Sequence, residues 1–187
     1  DARLHLLASH PTPGGFDGDE DRNGRRNFDE IRLWADYLSG GESAAYLTDD
    51  EGRSGGLDMA ANFLILGDLN ADPINDPAPY GRTAISQLLK HPRVQDPEPT
   101  APGGAGIDQP YKGLAETRTS NYGRIDYALP SIGIEVGASE VFWPAKNEPL
   151  GSLVTGREHS SDHRLVWVDI LIPPVAASVK ELKTREK

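Results

Sequence analysis

Short apolar runs, several of which end in polar side chains, alternate along the chain with two amphipathic stretches. The runs typical of strands are residues 3–10, 62–67, 124–129, 132–136, 141–143 and 165–172. Apolar positions at helical spacing predict helices over residues 28–38 and 83–90, and Asn27 is a suitable N-cap for the first of them. Because strands and helices interleave along the chain, the pattern predicts an α/β fold of layered sheets and helices.

Polar residues that can support chemistry stand at the ends of four of these apolar runs. They are His10, Asp68, Asn70, Arg124, Asp126, Asp162 and His163. Open α/β sheets place their sites beyond the carboxyl ends of strands, although each residue alone is also compatible with a turn or a surface pair. As a set they include neither a cysteine nor a Gly-x-Ser-x-Gly nucleophile elbow. This combination favours metal-assisted attack by water over covalent catalysis.

The composition narrows the classes of partner. The 187 residues carry 19 Lys and Arg against 29 Asp and Glu, which gives a net charge of −10. This surplus of acid disfavours a general nucleic-acid-binding protein but is compatible with an enzyme that meets phosphate through a bound cation. With no cysteine the chain forms no disulfide and no thiolate zinc site. No apolar run approaches the roughly 20 residues of a membrane-spanning helix.

Four segments then resemble a known family, in the family's own order. They are HLLASHPTP (5–13), GDLNADP (67–73), RIDYALPS (124–131) and SSDHRLV (160–166). The last three look like the signature segments of the endonuclease/exonuclease/phosphatase superfamily, also called deoxyribonuclease-I-like, and the first looks like its upstream histidine segment. The resemblance implies a four-layer α/β sandwich in which two mixed sheets pack face to face with helices outside. It is specific for the superfamily and does not identify a substrate.

The resemblance also implies roles for the strand-end residues. His10 would contact or protonate the phosphate, and Asp68 would orient or deprotonate the attacking water. Asn70 would hold that water and the phosphoryl oxygens. Asp162 would help to bind a catalytic cation, for which Mg²⁺ or Mn²⁺ is expected.

Three further residues complete the expected site. His163 would bond the scissile phosphate, and Asp126 would fix the tautomer of its imidazole, a pairing that the chemistry of histidine also favours. Arg124, two residues before Asp126, is predicted to contact the substrate.

The position of the histidine segment departs from the family pattern, in which a first half supplying an Asn and a metal-binding Glu precedes it. Here that segment begins at residue 5. We therefore expect residues 1–174 to form the carboxyl-terminal part of one domain, followed by a tail over 175–187. We expect the missing half, or self-association in its place, to cover an apolar sheet face. The 187 residues alone are expected to show weak or no catalysis compared with the full-length protein.

A second metal site is suggested by residues 19–30, which fit the calcium-loop pattern D-x-[DN]-x-[DN]-G-x5-E. Its candidate ligands are Asp19, Asp21, Asn23 and Glu30. Against this, the preceding PTPGG forbids an entering helix, and Arg26 replaces the usual aliphatic residue. The alternative interpretation is a solvated loop whose acids pair with its arginines.

The leading hypothesis is a divalent-metal-dependent phosphodiesterase or phosphatase. An extracellular nuclease of the same superfamily is the first alternative, although the acidic composition disfavours a grip on nucleic acid. A non-catalytic module that binds calcium or a protein partner is the second. The acidity, the lack of cysteine and the candidate calcium loop favour a secreted or periplasmic bacterial protein.

Overall fold

A computed structural model describes residues 3–155 and 160–172, so the predicted tail over 175–187 lies outside the described residues. Strands and helices are interleaved up to the third strand, after which two further strands follow. In chain order they are β1 (His5–Ala8), α1 (Arg22–Ser39), β2 (Phe63–Asp68), α2 (Ser86–Leu89), α3 (Pro102–Ala105), β3 (Asp126–Pro130), β4 (Glu135–Phe142) and β5 (Leu165–Leu171).

Two sheets are formed by these strands. The first has the order β1-β2-β3, with β1 parallel to β2 and β2 antiparallel to β3, so it is a mixed sheet. The second is an antiparallel pair of β4 and β5 with a register shift between Val136 and Ser139. In the first sheet, Asp68 at the end of β2 lies directly opposite Asp126 at the start of β3. The register therefore brings two strand-end carboxylates of the sequence motifs to one edge.

The main core lies between the first sheet and helices α1 and α2. Alternate residues of β2 face the helices, and both Phe63 and Ile65 are fully buried against the apolar stripe of α1, which includes Ile31 and Leu38. Burial of side chains of this size contributes roughly 1.5–3 kcal/mol each. This packing fixes β2, and with it the segment that follows Asp68.

A smaller core supports the segment that leads to His163. Val141 and Trp143, at and after the end of β4, pack with Val154, and the Arg164 guanidinium lies 4.5 Å from the centre of the Trp143 ring. Gly103 in α3 comes so close to Trp143 that a Cβ there would lie 2.2 Å from the indole, so only glycine fits.

Helix α1 begins six residues earlier than the sequence predicted. The predicted N-cap, Asn27, is instead a buried helical residue. The helix can start at Arg22 because the carboxylate of Asp17 accepts hydrogen bonds from the backbone N–H groups of Arg22 (3.0 Å) and Gly24 (2.8 Å). A carboxylate from before the helix thus satisfies first-turn donors that an N-cap side chain usually takes.

Other predicted elements differ in extent. The two short strands predicted over 132–136 and 141–143 are one strand, β4, and the predicted helix over 83–90 is reduced to Ser86–Leu89. In the part of the chain that the structure describes, no helix is long and apolar enough to cross a membrane. Leu6 of β1 and Leu165 of β5 are 63% and 66% exposed. That a missing half of the domain or a second copy of the chain covers an apolar sheet face stays a prediction.

Candidate active site

The edge where β2 and β3 meet holds the candidate site. Asp68 is the last residue of β2, and the backbone N–H of Leu69 continues the ladder by donating to the Ile125 carbonyl at 2.7 Å. Gly67, with φ of +145°, allows the end of β1 to approach, since a Cβ there would lie 1.9 Å from the Ser9 carbonyl oxygen. The glycine before Asp68 is thus what brings the histidine segment next to the carboxylate.

Asp126 and His163 form a hydrogen-bonded pair. The Nδ1 atom of His163 lies 3.0 and 3.1 Å from the two carboxylate oxygens of Asp126, which fixes the ring and leaves Nε2 for other contacts. The Thr119 hydroxyl donates to Asp126 Oδ2 at 2.7 Å. Burial raises the pKa of Asp126, and the nearby charge of Asp68 adds to the rise, while the bonds from Thr119 and His163 oppose it.

His10 and Asp68 lie next to each other at the carboxyl ends of the paired strands β1 and β2. His10 Nε2 lies 3.5 Å from Asp68 Oδ2, and the His10 side chain is 75% exposed. The same Asp68 oxygen lies 3.9 Å from Nε2 of His163, which is 31% exposed. Asp68 therefore stands between two imidazoles that solvent can reach.

One group of side chains in the described residues has the spacing of a metal site. Ligand atoms of Asp68, Asp126 and His163 all lie within 4.8 Å of one another. Two carboxylates and an imidazole are ligands that Mn²⁺ accepts, and the carboxylates alone suit Mg²⁺. The predicted cation ligand Asp162 is outside this group and lines a neighbouring cavity of about 410 Å³.

Asn70 lies in the turn directly after β2. Its backbone has a φ of 48°, a left-handed conformation that asparagine tolerates better than most residues, and its N–H donates to Asp68 Oδ1 at 2.8 Å. Its side-chain Nδ2 donates to the Pro11 carbonyl at 3.1 Å. This bond orients the side-chain amide, and we expect the Asn70 oxygen to serve substrate, water or a cation.

The substrate contact predicted for Arg124 stays a prediction, and the structure gives this side chain a different partner. Its side chain is only 5% exposed, and its guanidinium forms a two-pronged salt bridge with Asp96, with N–O distances of 2.7 and 2.5 Å. It also lies 4.8 Å from the centre of the Tyr127 ring. A buried arginine held by a carboxylate and an aromatic face has a structural role, since a ligand would have to break the pair.

The calcium loop predicted over residues 19–30 is not formed. Asn23 and Glu30 lie within α1, whereas Asp21 precedes the helix in a left-handed conformation. Glu30 accepts hydrogen bonds from the N–H and hydroxyl of Thr12, so its carboxylate is not a twelfth loop ligand. Asp19 and Asp21 belong to no cluster of three metal-binding side chains in the described residues. The helix that begins at Arg22 takes up the fourth to twelfth positions of the pattern, and calcium binding by this segment stays a prediction.

Sequence reasoning missed two groups of supporting residues. Thr119 bonds the Asp126 carboxylate, and Ser120 forms a β-bridge with His163, so this segment holds both members of the pair. Thr119 follows no apolar run, which left no signal in the pattern. Asn27, predicted as a helix cap, instead contacts the site segments from within α1.

Comparison with known proteins identifies the class. The profile of the Endonuclease/Exonuclease/phosphatase family matches residues 3–163. A solved structure titled as an endonuclease/exonuclease/phosphatase from Beutenbergia cavernae DSM 12333 is similar in fold, with a TM-score of 0.53 and 20% identity. That match covers 92% of this chain and 37% of the other, so the chain spans little more than a third of that protein's length. No curated protein matches.

The mixed α/β architecture and the matching profile together define the class of this domain. The chain belongs to the endonuclease/exonuclease/phosphatase family. The fold class predicted from the sequence is confirmed.

Proposed function

We propose that this chain carries the active site of a divalent-metal-dependent phosphoesterase, either a phosphodiesterase or a phosphatase. The observation that carries the proposal is the convergence of Asp68, Asp126 and His163 within 4.8 Å, with His10 a further 3.5 Å from Asp68. Four separate sequence segments supply these four side chains, and a purely structural role does not require them to meet at a solvent-accessible edge.

The proposed chemistry assigns each side chain a step. A bound cation would supply charge neutralisation at the phosphate and a water of lowered pKa. Asp68 and Asp126 offer oxygen ligands for it, and Asp68 accepts a proton from the attacking water. His163, held through Nδ1 by Asp126, presents Nε2 to a phosphoryl oxygen, and His10 protonates the leaving group or bonds the phosphate.

The positions of the arginine side chains favour a small or lipid-linked phosphate ester over nucleic acid as the substrate. Three arginines close to site residues in the sequence are withdrawn from solvent. Arg118, Arg124 and Arg164 are each at most 6% exposed and lie against aromatic rings. Nucleic-acid backbones are held mainly by exposed Lys and Arg. With the net charge of −10, this supports a phosphodiesterase or phosphatase ahead of a nuclease.

An assay panel tests the proposal. Weak turnover by these 187 residues alone stays a prediction, so the chain and the full-length gene product are both assayed on bis-p-nitrophenyl phosphate, phosphomonoesters and DNA. We expect hydrolysis of a small ester that requires Mg²⁺ or Mn²⁺ and stops on chelation. Hydrolysis that persists after exhaustive chelation, or no hydrolysis of any ester, would refute the proposal.

A further inference from the structure

Helix α1 directs two polar side chains, one helical turn apart, at the two segments that carry half of the candidate site. They are Asn27 and Glu30, and the segments are 10–12, after β1, and 69–70, after β2. Residues three apart on a helix share a face, so both side chains can reach the same place. Neither residue belongs to the acid–histidine cluster, which consists of Asp68, Asp126 and His163.

Asn27 joins the two segments to each other. Its side chain is 3% exposed, and Nδ2 donates to the carbonyls of Thr12 at 2.9 Å, Leu69 at 3.0 Å and Asn70 at 3.2 Å. One amide group with two N–H bonds thus serves three carbonyls, two of them in the segment of Asn70. Removal of this donor would leave buried carbonyls without a partner, which is unfavourable.

Glu30 holds the histidine segment from its other side. Its carboxylate accepts the Thr12 backbone N–H at 2.6 Å and the Thr12 hydroxyl at 3.1 Å. Hydrogen bonds to an ionised acceptor are stronger than neutral ones, so Thr12 has little freedom. Pro11, between His10 and Thr12, accepts the Asn70 side-chain amide at 3.1 Å.

Together these hydrogen bonds link α1, the His10 segment and the Asn70 segment in a closed ring. This ring fixes the separation of His10 and Asp68. The segment of His10 is tied to α1 through Thr12, the segment of Asn70 is tied to α1 through Asn27, and the two are tied to each other through Pro11. Within this frame His10 Nε2 lies 3.5 Å from Asp68 Oδ2. A shift of either segment would change that separation and the orientation of the Asn70 amide.

We propose that Asn27 and Glu30 are positioning residues that hold His10 against Asp68 and fix the Asn70 amide. The inference rests on the proposed function in so far as it concerns turnover. The proposal also gives these two residues of the calcium-loop pattern and its helix a role that needs no calcium. Glu30 bonds Thr12, and Asn27 bonds backbone carbonyls.

A matched pair of isosteric variants tests the inference. Asn27→Asp replaces the donating amide with a carboxylate that repels three carbonyls. Gln87→Glu is the control, because the buried Gln87 amide likewise donates to backbone carbonyls, those of Phe28 (2.9 Å) and Ala84 (3.2 Å), away from the site segments. Both variants disturb the packing of α1, but only Asn27→Asp disconnects the site.

Turnover is the first measurement. We expect Asn27→Asp to lower kcat by about 10- to 100-fold and to change KM by less than about 2-fold, because a catalytic group is displaced. We expect Gln87→Glu to keep kcat within about 2-fold of the wild type. The milder Asn27→Ser, which keeps one donor, should fall between them. Equal losses of kcat in Asn27→Asp and Gln87→Glu would overturn the inference.

Nuclear magnetic resonance gives a readout that does not need turnover. The His10 ring and Asn70 side-chain amide signals should move in Asn27→Asp and stay in place in Gln87→Glu. If no ester is hydrolysed, the proposed function fails, yet these shifts still decide the positioning role. If both Asn27 variants fail to fold, Glu30→Gln decides, because Glu30 is 38% exposed and tolerates change. Unmoved His10 signals in Glu30→Gln would then overturn the inference.

Discussion

Asp76 provides a quantitative test of the buried polar network behind the site. Its carboxylate accepts the backbone N–H of Asp72 at 2.6 Å, and Asp72 itself is only 1% exposed. Burial, together with the negative charge of Asp72, raises the pKa of Asp76 from 3.8 to about 6. The Asp72 N–H opposes this rise without cancelling it. Ionised Asp76 therefore destabilises the folded protein.

The size and sign of the effect follow from linkage. A rise of about two pKa units corresponds to about 3 kcal/mol at most, and partial solvent contact reduces it to roughly 1–3 kcal/mol. Because the folded pKa is the higher one, the folded state binds the extra proton between pH 3.8 and about 6. The stability that depends on protonated Asp76 is thus fully present below about pH 4 and is lost as the pH rises through 6.

Asp76→Asn removes the ionisation and keeps an oxygen that can accept the Asp72 N–H. We expect this variant to gain roughly 1–3 kcal/mol over wild type between pH 4 and pH 7.5, measured as the change in the free energy of urea unfolding. The exposed Asp50→Asn is the control and should follow the wild type at both pH values. An Asp76→Asn difference that is the same at pH 4 and pH 7.5 would refute the reasoning.

Three further predictions concern the site and its surroundings. Asp126→Asn should lower kcat by about 10²-fold or more, because the amide cannot hold the His163 imidazole as the carboxylate does, and steady-state kinetics with a circular dichroism check measures this. Asp96→Ala leaves the buried Arg124 without its partner and should lower the free energy of unfolding by about 3 kcal/mol, while KM stays unchanged. A raised KM at unchanged stability would instead favour contact of Arg124 with the substrate. Asp21→Ala should leave calcium uptake by calorimetry unchanged, and a loss of one bound calcium would restore the loop hypothesis.

The sequence predicted the parts of the site that lie on strands. An apolar run followed by Asp68 and Asn70 indicates a strand that ends in a polar turn, and β2 does end at Asp68. The resemblance of four segments led to the family that the profile match shows. Local pattern sufficed here because a buried strand and its last residue are specified by consecutive positions.

Contacts between distant residues were not predictable from local pattern. Arg124 stands two positions before Asp126, yet its side chain is taken by Asp96, 28 residues earlier in the chain. The start of α1 depends on Asp17, which lies outside the helix, five residues before its first residue. The calcium pattern matched residue types alone, whereas the backbone of residues 22–30 is helical.

The most direct test of the account is metal-dependent hydrolysis by an Asp68→Asn variant. Asp68 is the one side chain shared by the acid–histidine cluster and the His10 contact, and asparagine preserves its shape. The account predicts that, on the best ester of the panel and with saturating Mn²⁺, Asp68→Asn loses at least about 10²-fold in kcat, whereas the exposed Asp58→Asn does not. Undiminished, metal-dependent turnover by folded Asp68→Asn would contradict it.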